Sequence, residues 1–363
     1  MPRKQDILYN HLKETIGTES YPDGRLPTEK KLAASLSVSQ STLRKALARL
    51  ESEHLIERIP SRGTFVCPPA ERKKRLIALE TLSYQDVSNP TGEYLMGLRN
   101  ACEQRKMDLQ MLPLPVLRAC PARETIRKFR DDNGIAGFVL FGGQFSGRED
   151  YIRILQEVDK PTVILGGYPG DDRTTGFTSV HIDVRAAWEE ATLTLAGLGH
   201  RRIGFLSSPV VRGYGENFAA WHDFLRTHGL YDPALLKSIE MVPVDEKALC
   251  RAFDELLALP DPPTALLCFS DILALRIYTL AAEKNIRIPD DLAVMGFCLL
   301  SGLQYLPLSL STVDFHYRES GEEAVRIIAE NRSGHFERAE RIIPYEIILA
   351  ESTARNPLPA ATP

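Results

Sequence analysis

The sequence predicts an α/β protein in two parts: a small, mostly helical N-terminal module, then a larger two-lobed body with parallel sheets covered by helices. Three observations carry this prediction. Up to about residue 67 the chain reads as three amphipathic helices and two short strands, whereas from Arg75 onward apolar strand runs alternate with helical stripes. Charge divides at the same place: residues 1–75 hold 15 Lys/Arg and 9 Asp/Glu, the remainder 29 and 39. Between the two parts, Cys67-Pro68-Pro69-Ala70-Glu71-Arg72-Lys73-Lys74-Arg75 combines a proline pair with a run of charges, the composition of a short, stiff, exposed connector. The expected division is a head at 1–67, a linker at 68–75, a body at 76–355 and a disordered Pro/Ala-rich tail at 356–363.

Within the head, Gln5 to Ile16 places Ile7, Leu8, His11, Leu12 and Ile16 on one helical stripe. Tyr21-Pro22-Asp23-Gly24 is a turn. Thr28 caps a helix carrying Glu29, Lys30, Leu32, Ala33 and Leu36. A tight turn at Ser37-Val38 leads to Ser39, which caps a longer helix with Leu43, Ala46, Leu47 and Leu50 inward. Leu55 to Arg58 and Thr64 to Val66 are strands, joined by a hairpin loop at Ile59-Pro60-Ser61-Arg62-Gly63. Two helices across a short turn followed by a hairpin make a helix-turn-helix with a wing.

The exposed residue types of this module suit DNA. Ser39, Gln40, Ser41, Thr42, Arg44 and Lys45 lie at the start of the second helix of the pair, the part that meets base edges in the major groove. Gln40 suits adenine and Arg44 suits guanine, each by a bidentate pair. The Ser and Thr hydroxyls, Lys30 and Lys45 suit phosphate, as do the backbone amides of the helix that begins at Thr28. Arg62, beside Gly63, has the reach to enter a narrow minor groove. Each of these residues taken singly is an ordinary solvated side chain; their joint placement is what points to a nucleic acid. The segments Leu26 to Ala33, Val38 to Leu47, Leu55 to Arg58 and Arg62 to Val66 resemble the GntR-family winged helix-turn-helix. The resemblance covers nearly all of residues 5–66 and implies DNA contacts at Lys30, at Ser39 to Arg44 and at Arg62-Gly63. Gln40 stands where that family commonly has arginine, and Ser37 and His54 stand where it commonly has glycine.

In the body, Leu76 to Glu80, Leu109 to Leu112, Ile135 to Phe141, Thr162 to Leu165, Ser179 to Ile182, Ile203 to Leu206, Ala265 to Phe269 and Ala293 to Phe297 read as strands. Thr91 to Arg105 (Leu95, Leu98 and Ala101 inward), Val184 to Gly197 and Asn217 to His228 read as helices between them. About 280 residues exceed what one such sheet needs, so two lobes are expected, with a small molecule held between them beyond the strand carboxyl ends. The chain lacks Gly-x-Ser-x-Gly, His-Glu-x-x-His, a Walker loop and a Gly-x-Gly-x-x-Gly fingerprint. Its six cysteines form neither a Cys-x-x-Cys pair nor a ligand cluster with histidine, so no metal or cofactor is expected.

Several body segments resemble the effector domain of the LacI/GalR family, itself similar to periplasmic sugar-binding proteins. They are Val180-His181-Ile182-Asp183, Gly199 to Phe205, Pro263 to Ala274, Ile288 to Phe297, Leu310 to Val313 and Glu351-Ser352-Thr353. The resemblance implies a homodimer and a sugar-like effector. Cys298 replaces the aspartate that usually meets sugar hydroxyls, Asn217 replaces an arginine, and Asp271 is retained. Tyr84, Tyr168 and Phe315 follow strand ends, where they either stack on a ligand ring or serve as core. Effector contacts are therefore expected at Tyr84, Tyr168, Asn217, Asp271, Cys298 and Phe315.

The functional expectation is a DNA-binding transcriptional regulator, a repressor by family analogy. Its partners are a double-stranded operator and a small molecule, a sugar or a sugar derivative. Two readings compete: a ligand-independent regulator with a decayed cleft, and an enzyme on the α/β body using Asp271 and Cys298. Composition, 44% hydrophobic and 25% charged, excludes wholesale disorder. The apolar runs are shorter than the ~18 residues a bilayer span needs, and the N-terminus has no signal-peptide core. A cytoplasmic location without a membrane partner is expected.

Overall fold

A computed structural model describes residues 4–18, 21, 24–53, 55–67, 73–80, 91–118, 121–142, 145–207, 214–240, 244–331 and 339–354. The chain forms two compact units: residues 1–75 with 106–108 and 132–136, and the rest of the chain. Residues 68–72 of the expected linker, the expected tail, His54 and Tyr84 lie outside the described residues.

The first unit contains α1 (Lys4–Thr18), α2 (Glu29–Ser35), α3 (Gln40–Ser52), β1 (Ile56–Ile59) and β2 (Gly63–Val66). Leu8, Tyr9, Leu12 and Ile16 of α1 pack with Leu32, Ala33, Leu43, Ala46, Leu47, Leu50 and Ile56 in one core. The inward stripe of α1 differs from the one predicted. Ile7 is 55% exposed and His11 is exposed, while Tyr9 is buried. The buried set is spaced 1, 3 and 4, a stripe centred one position further along the helix, and Tyr9 enters it because its ring lies under the Arg49 guanidinium, 3.8 Å from the ring centre. The Tyr9 hydroxyl donates to Glu53, and Lys13 Nζ donates to the same carboxylate at 2.9 Å. Strands β1 and β2 pair antiparallel with Ile59 opposite Gly63, closing the wing. Arg25 bridges Phe65 outside the named strands, and Leu26 N donates to Thr64 O at 2.8 Å, so a short third segment backs the wing.

The second unit, together with Arg75, Asp108 and residues 135–136 of the first, is built on two sheets. In chain order its elements are β3 (Arg75–Glu80), α4 (Thr91–Gln104), β4 (Asp108–Pro113), α5 (Leu114–Arg118), α6 (Ala122–Arg130), β5 (Ile135–Phe141), α7 (Asp150–Val158), β6 (Thr162–Leu165), α8 (Asp171–Thr175), β7 (Thr178–Ile182) and α9 (Val184–Gly197). There follow β8 (Ile203–Ser207), α10 (Tyr214–Thr227), β9 (Leu236–Ser238), α11 (Glu246–Leu257), β10 (Ala265–Cys268), α12 (Asp271–Glu283), β11 (Ala293–Met295), β12 (Thr312–Asp314), α13 (Tyr317–Glu330), β13 (Glu340–Ile343) and β14 (Glu346–Ile348). One sheet has the order β13-β7-β6-β5-β3-β4 and the other β11-β10-β8-β9, while β12 and β14 form an antiparallel pair. The β13/β7, β7/β6 and β6/β5 pairs are parallel, as are β11/β10, β10/β8 and β8/β9. These are the two lobes. Burial on both faces explains why β5, β6, β8 and β10 are near-continuous apolar runs.

The helix pair α4/α13 packs at backbone distance. A Cβ on Gly97 would sit 1.9 Å from Arg318 O, and one on Gly321 would sit 2.4 Å from Tyr94 O. That crossing turns Tyr94, Leu98, Ala101 and Cys102 inward and leaves Leu95 only half-buried, against the predicted stripe. No helix among the described residues is long and apolar enough to cross a membrane.

Candidate functional site

The head presents its candidate residues outward because Leu32, Ala33, Leu43, Ala46, Leu47 and Leu50 turn the opposite faces of α2 and α3 into the core, and both helix starts are capped. Thr28 accepts from Lys31 N at 3.4 Å and Ser39 from Thr42 N at 3.1 Å. The turn between α2 and α3 places Ser37 at φ 53°, the left-handed conformation that favours glycine, with Val38 N donating to Ala33 O at 3.0 Å. The Ser39 hydroxyl also lies 2.9 Å from Ser41 Oγ and 2.8 Å from Thr42 Oγ1. These three hydroxyls therefore form one linked group at the start of α3. Thr28, Lys30, Gln40, Ser41, Arg44, Lys45 and Arg62 are exposed, and Thr42 and Gly63 are partly so. Arg44 Nε donates to Glu29 Oε2 at 2.8 Å, which brings the start of α2, and with it Lys30, beside α3.

In the wing, Ser61 (φ 63°) and Gly63 (φ 121°) turn the chain at Arg62. A Cβ on Gly63 would meet Arg25 Nε at 3.0 Å. Arg25 is thus a second wing cation, not legible in the sequence because it lies far from the hairpin in the chain. The role of Glu29 as partner of Arg44 was not legible either, since an acidic residue in a basic module reads as background.

In the second unit, Tyr168 follows β6 and is partly exposed; its backbone N–H donates to Asp171 Oδ2 at 2.8 Å, and burial pushes its phenol up. Cys298 follows β11 at φ 105°, with its thiol accepting from the Tyr317 hydroxyl at 3.5 Å. Burial pushes both the Cys298 thiol and the Tyr94 phenol up, and Tyr94 has Cys298 and Tyr168 as electrostatic neighbours. Tyr94 also makes an edge contact with Tyr317, their ring centres 4.9 Å apart. Tyr94, Tyr168, Tyr317 and Cys298 therefore gather at the strand carboxyl ends. Tyr94 and Tyr317 were not among the expected residues: Tyr94 falls on a helix read for its apolar stripe alone, and Tyr317 opens α13, an element the sequence pattern did not mark.

The other expected effector residues are placed differently. Asp271 is fully buried, accepting from Thr312 Oγ1 at 2.7 Å and from Leu300 N at 2.9 Å. Burial raises its pKa to about 7. One oxygen anchors the loop after β11 and the other the start of β12. Phe315 is 4% exposed and packs against Phe297 and Tyr317, so it is core, turned inward by the pairing of β12 with β14. Asn217 lies in α10, with its side chain outside the described residues. Beside these, Glu93 of α4 accepts from the Ser301 hydroxyl and from Arg318 Nε at 2.6 Å, tying the loop after β11 to α4. Among the described residues, no group of three or more His, Cys, Asp or Glu side chains is placed to hold a metal ion.

Comparison with known proteins gives a consistent picture. Residues 4–66 match the family model for bacterial regulatory proteins of the gntR family, and residues 192–353 match that for a periplasmic binding protein-like domain. The HTH-type transcriptional repressor CytR of Escherichia coli (strain K12) is 30% identical over 189 residues, 49% of this chain and 52% of that protein. The match thus spans about half the length of those relatives. The arabinose metabolism transcriptional repressor of Geobacillus stearothermophilus is 21% identical over 342 residues, 91% of each chain. Among solved structures, a LacI family transcriptional regulator from Enterococcus faecium with bound ribose aligns with a TM-score of 0.61 at 17% identity, over 77% of this chain and 99% of that one. A regulator described as LacI from Bacillus cereus subsp. cytotoxis aligns at 0.60 with 22% identity, over 79% and 100%. At these identities the structural likeness establishes a shared fold.

Proposed function

We propose that this chain, which joins a gntR-family DNA-binding segment to a periplasmic binding protein-like domain, is a sequence-specific transcriptional regulator whose grip on DNA responds to a small molecule held by the body. The observation that carries the reading is the capped start of α3, where Gln40, Ser41, Arg44 and Lys45 stand exposed beside Lys30 on a net-basic module. A helix so presented places amide and guanidinium donors at base edges, while the hydroxyls and lysines hold phosphates. The similar CytR and arabinose metabolism proteins are transcriptional repressors, which supports the same reading and favours repression.

For the body, the gathering of Tyr94, Tyr168, Tyr317 and Cys298 at the strand ends supports a ligand held by stacking and neutral hydrogen bonds. A sugar or a sugar derivative remains the proposed class, in keeping with the ribose-bound neighbour. The proposed working form is a cytoplasmic homodimer on half-sites about 10 bp apart or a multiple of that. The test is selection of duplexes from a random library by the full chain, then titration of the enriched duplex with sugars and sugar derivatives present. Enrichment of a repeated half-site whose affinity shifts with one compound is the expected result. Enrichment indifferent to every compound favours a ligand-independent regulator, and no enrichment overturns the DNA reading.

A further inference from the structure

The carboxylate of Glu29 stands in the middle of the surface assigned to DNA, where a negative charge repels phosphates. It is not idle there. One oxygen accepts from Arg44 Nε at 2.8 Å, and the other lies 3.8 Å from Arg58 Nη1 on β1. Arg58 Nε lies in turn 3.4 Å from Glu51 at the far end of α3. Glu29 is the first residue of α2, where the helix dipole favours an acidic side chain. It therefore links three elements: the leading helix of the motif, the following helix and the first strand of the wing.

We propose that Glu29 is a positioning residue for base reading: it holds Arg44 by Nε and leaves the two Nη groups free for a guanine edge. The geometry supports this division of labour. Guanidinium has five N–H groups in a rigid fork, and a bidentate pair with guanine O6 and N7 uses two of them. An arginine with 64% of its side chain exposed loses rotamer freedom when it docks. Fixing Nε beforehand removes part of that cost for the one base that fits the fixed orientation. Phosphate binding needs no such orientation, so the effect falls on sequence discrimination. The contact to Arg58 extends the same constraint to the wing strand.

This rests on the reading of the head as a DNA reader, and the test separates the two. Full-length wild type, Glu29→Ala and Glu29→Gln are titrated against the enriched duplex, the same duplex with its Arg44-dependent guanine replaced, and a scrambled duplex. Melting curves confirm that each variant folds. A carboxylate that is merely solvated weakens all three complexes by repulsion, so its removal tightens all three equally and leaves their ratios unchanged. The proposal predicts instead that Glu29→Ala holds or tightens scrambled binding and lowers the ratio of specific to scrambled affinity by about tenfold, the scale of one charge-assisted hydrogen bond. The loss is confined to the guanine position. Glu29→Gln, which keeps an oxygen acceptor for Nε–H, recovers part of the ratio. In an Arg44→Ala background Glu29→Ala leaves the ratio unchanged. Equal ratios for wild type and Glu29→Ala overturn the positioning role while the DNA reading stands. Failure of the library to yield any enriched duplex overturns both.

Discussion

Ser37 shows how much of the head a single residue constrains. It sits at φ 53° just past the end of α2, where the chain must turn sharply for α3 to begin at Gln40. A residue with a Cβ pays about 1–2 kcal/mol for that conformation. Ser37→Gly removes the strain but frees the unfolded chain, so a net gain below about 1 kcal/mol is expected. Ser37→Val is expected to cost more than about 1 kcal/mol, because a β-branched side chain is a poor fit to left-handed backbone. Thermal melts of the head transition in the full chain check both signs. At this scale the sequence was readable wherever chemistry is local. The caps at Thr28 and Ser39 and the turn at Ser37 follow from residue type and spacing. The pairing of Arg44 with Glu29 was not readable, since its partners are 15 positions apart and meet only through the packing of α2 on α3.

Elements were legible in proportion to their burial. Strands buried on both faces announced themselves as apolar runs, and Ile135–Phe141, Thr162–Leu165 and the helix Val184–Gly197 have the bounds that periodicity gives. Strands β9, β12, β13 and β14 were missed. They are only three or four residues long; β13 pairs with β7 as the outermost strand of its sheet, and Ile342 on it is 59% exposed, so no alternation marks it. Placement of β13 beside β7 creates a further consequence. His181 of β7 is buried, with Nε2 3.6 Å from Glu340 Oε1 on β13. Burial lowers its pKa, and the opposing pull of Glu340, Asp171, Asp183 and Asp172 does not overcome it. The imidazole is therefore neutral in the fold, whereas in the unfolded chain it titrates near ~6.5. Its contribution to stability is present above that value and is lost as pH falls through the depressed folded value. Urea unfolding of the body at pH 7.5 and pH 5.5 is expected to show a larger loss for wild type than for His181→Gln. An equal loss in both proteins contradicts this assignment.

Across the whole molecule, the charge asymmetry that first divided the sequence acquires a physical role. Under the proposed function, the basic N-terminal segment is expected to supply sequence-independent attraction to a polyanion, and the more acidic remainder to oppose indiscriminate binding. The two-lobed α/β body was legible from its strand–helix alternation. The residues at its strand ends were only partly legible, because Asp271 and Phe315 are spent on anchoring and packing while Tyr94 and Tyr317 arrive from helices. The same division sets the expected salt response. Each phosphate neutralised by a lysine or arginine adds about 0.9 to the slope of log affinity against log salt. Lys45→Ala is thus expected to lower that slope by about 1 on specific and scrambled duplexes alike, whereas Gln40→Ala is expected to reduce the specificity ratio and leave the slope unchanged.

The measurement that tests the central claim most directly is fluorescence anisotropy of the full chain on its library-enriched duplex and on a scrambled duplex, at 50 and 200 mM salt. The account predicts a preference for the enriched duplex of about a thousandfold or more, weaker binding to both duplexes at the higher salt, and collapse of the preference in Arg44→Ala. Equal affinity for the two duplexes, or a preference that survives Arg44→Ala intact, would contradict it.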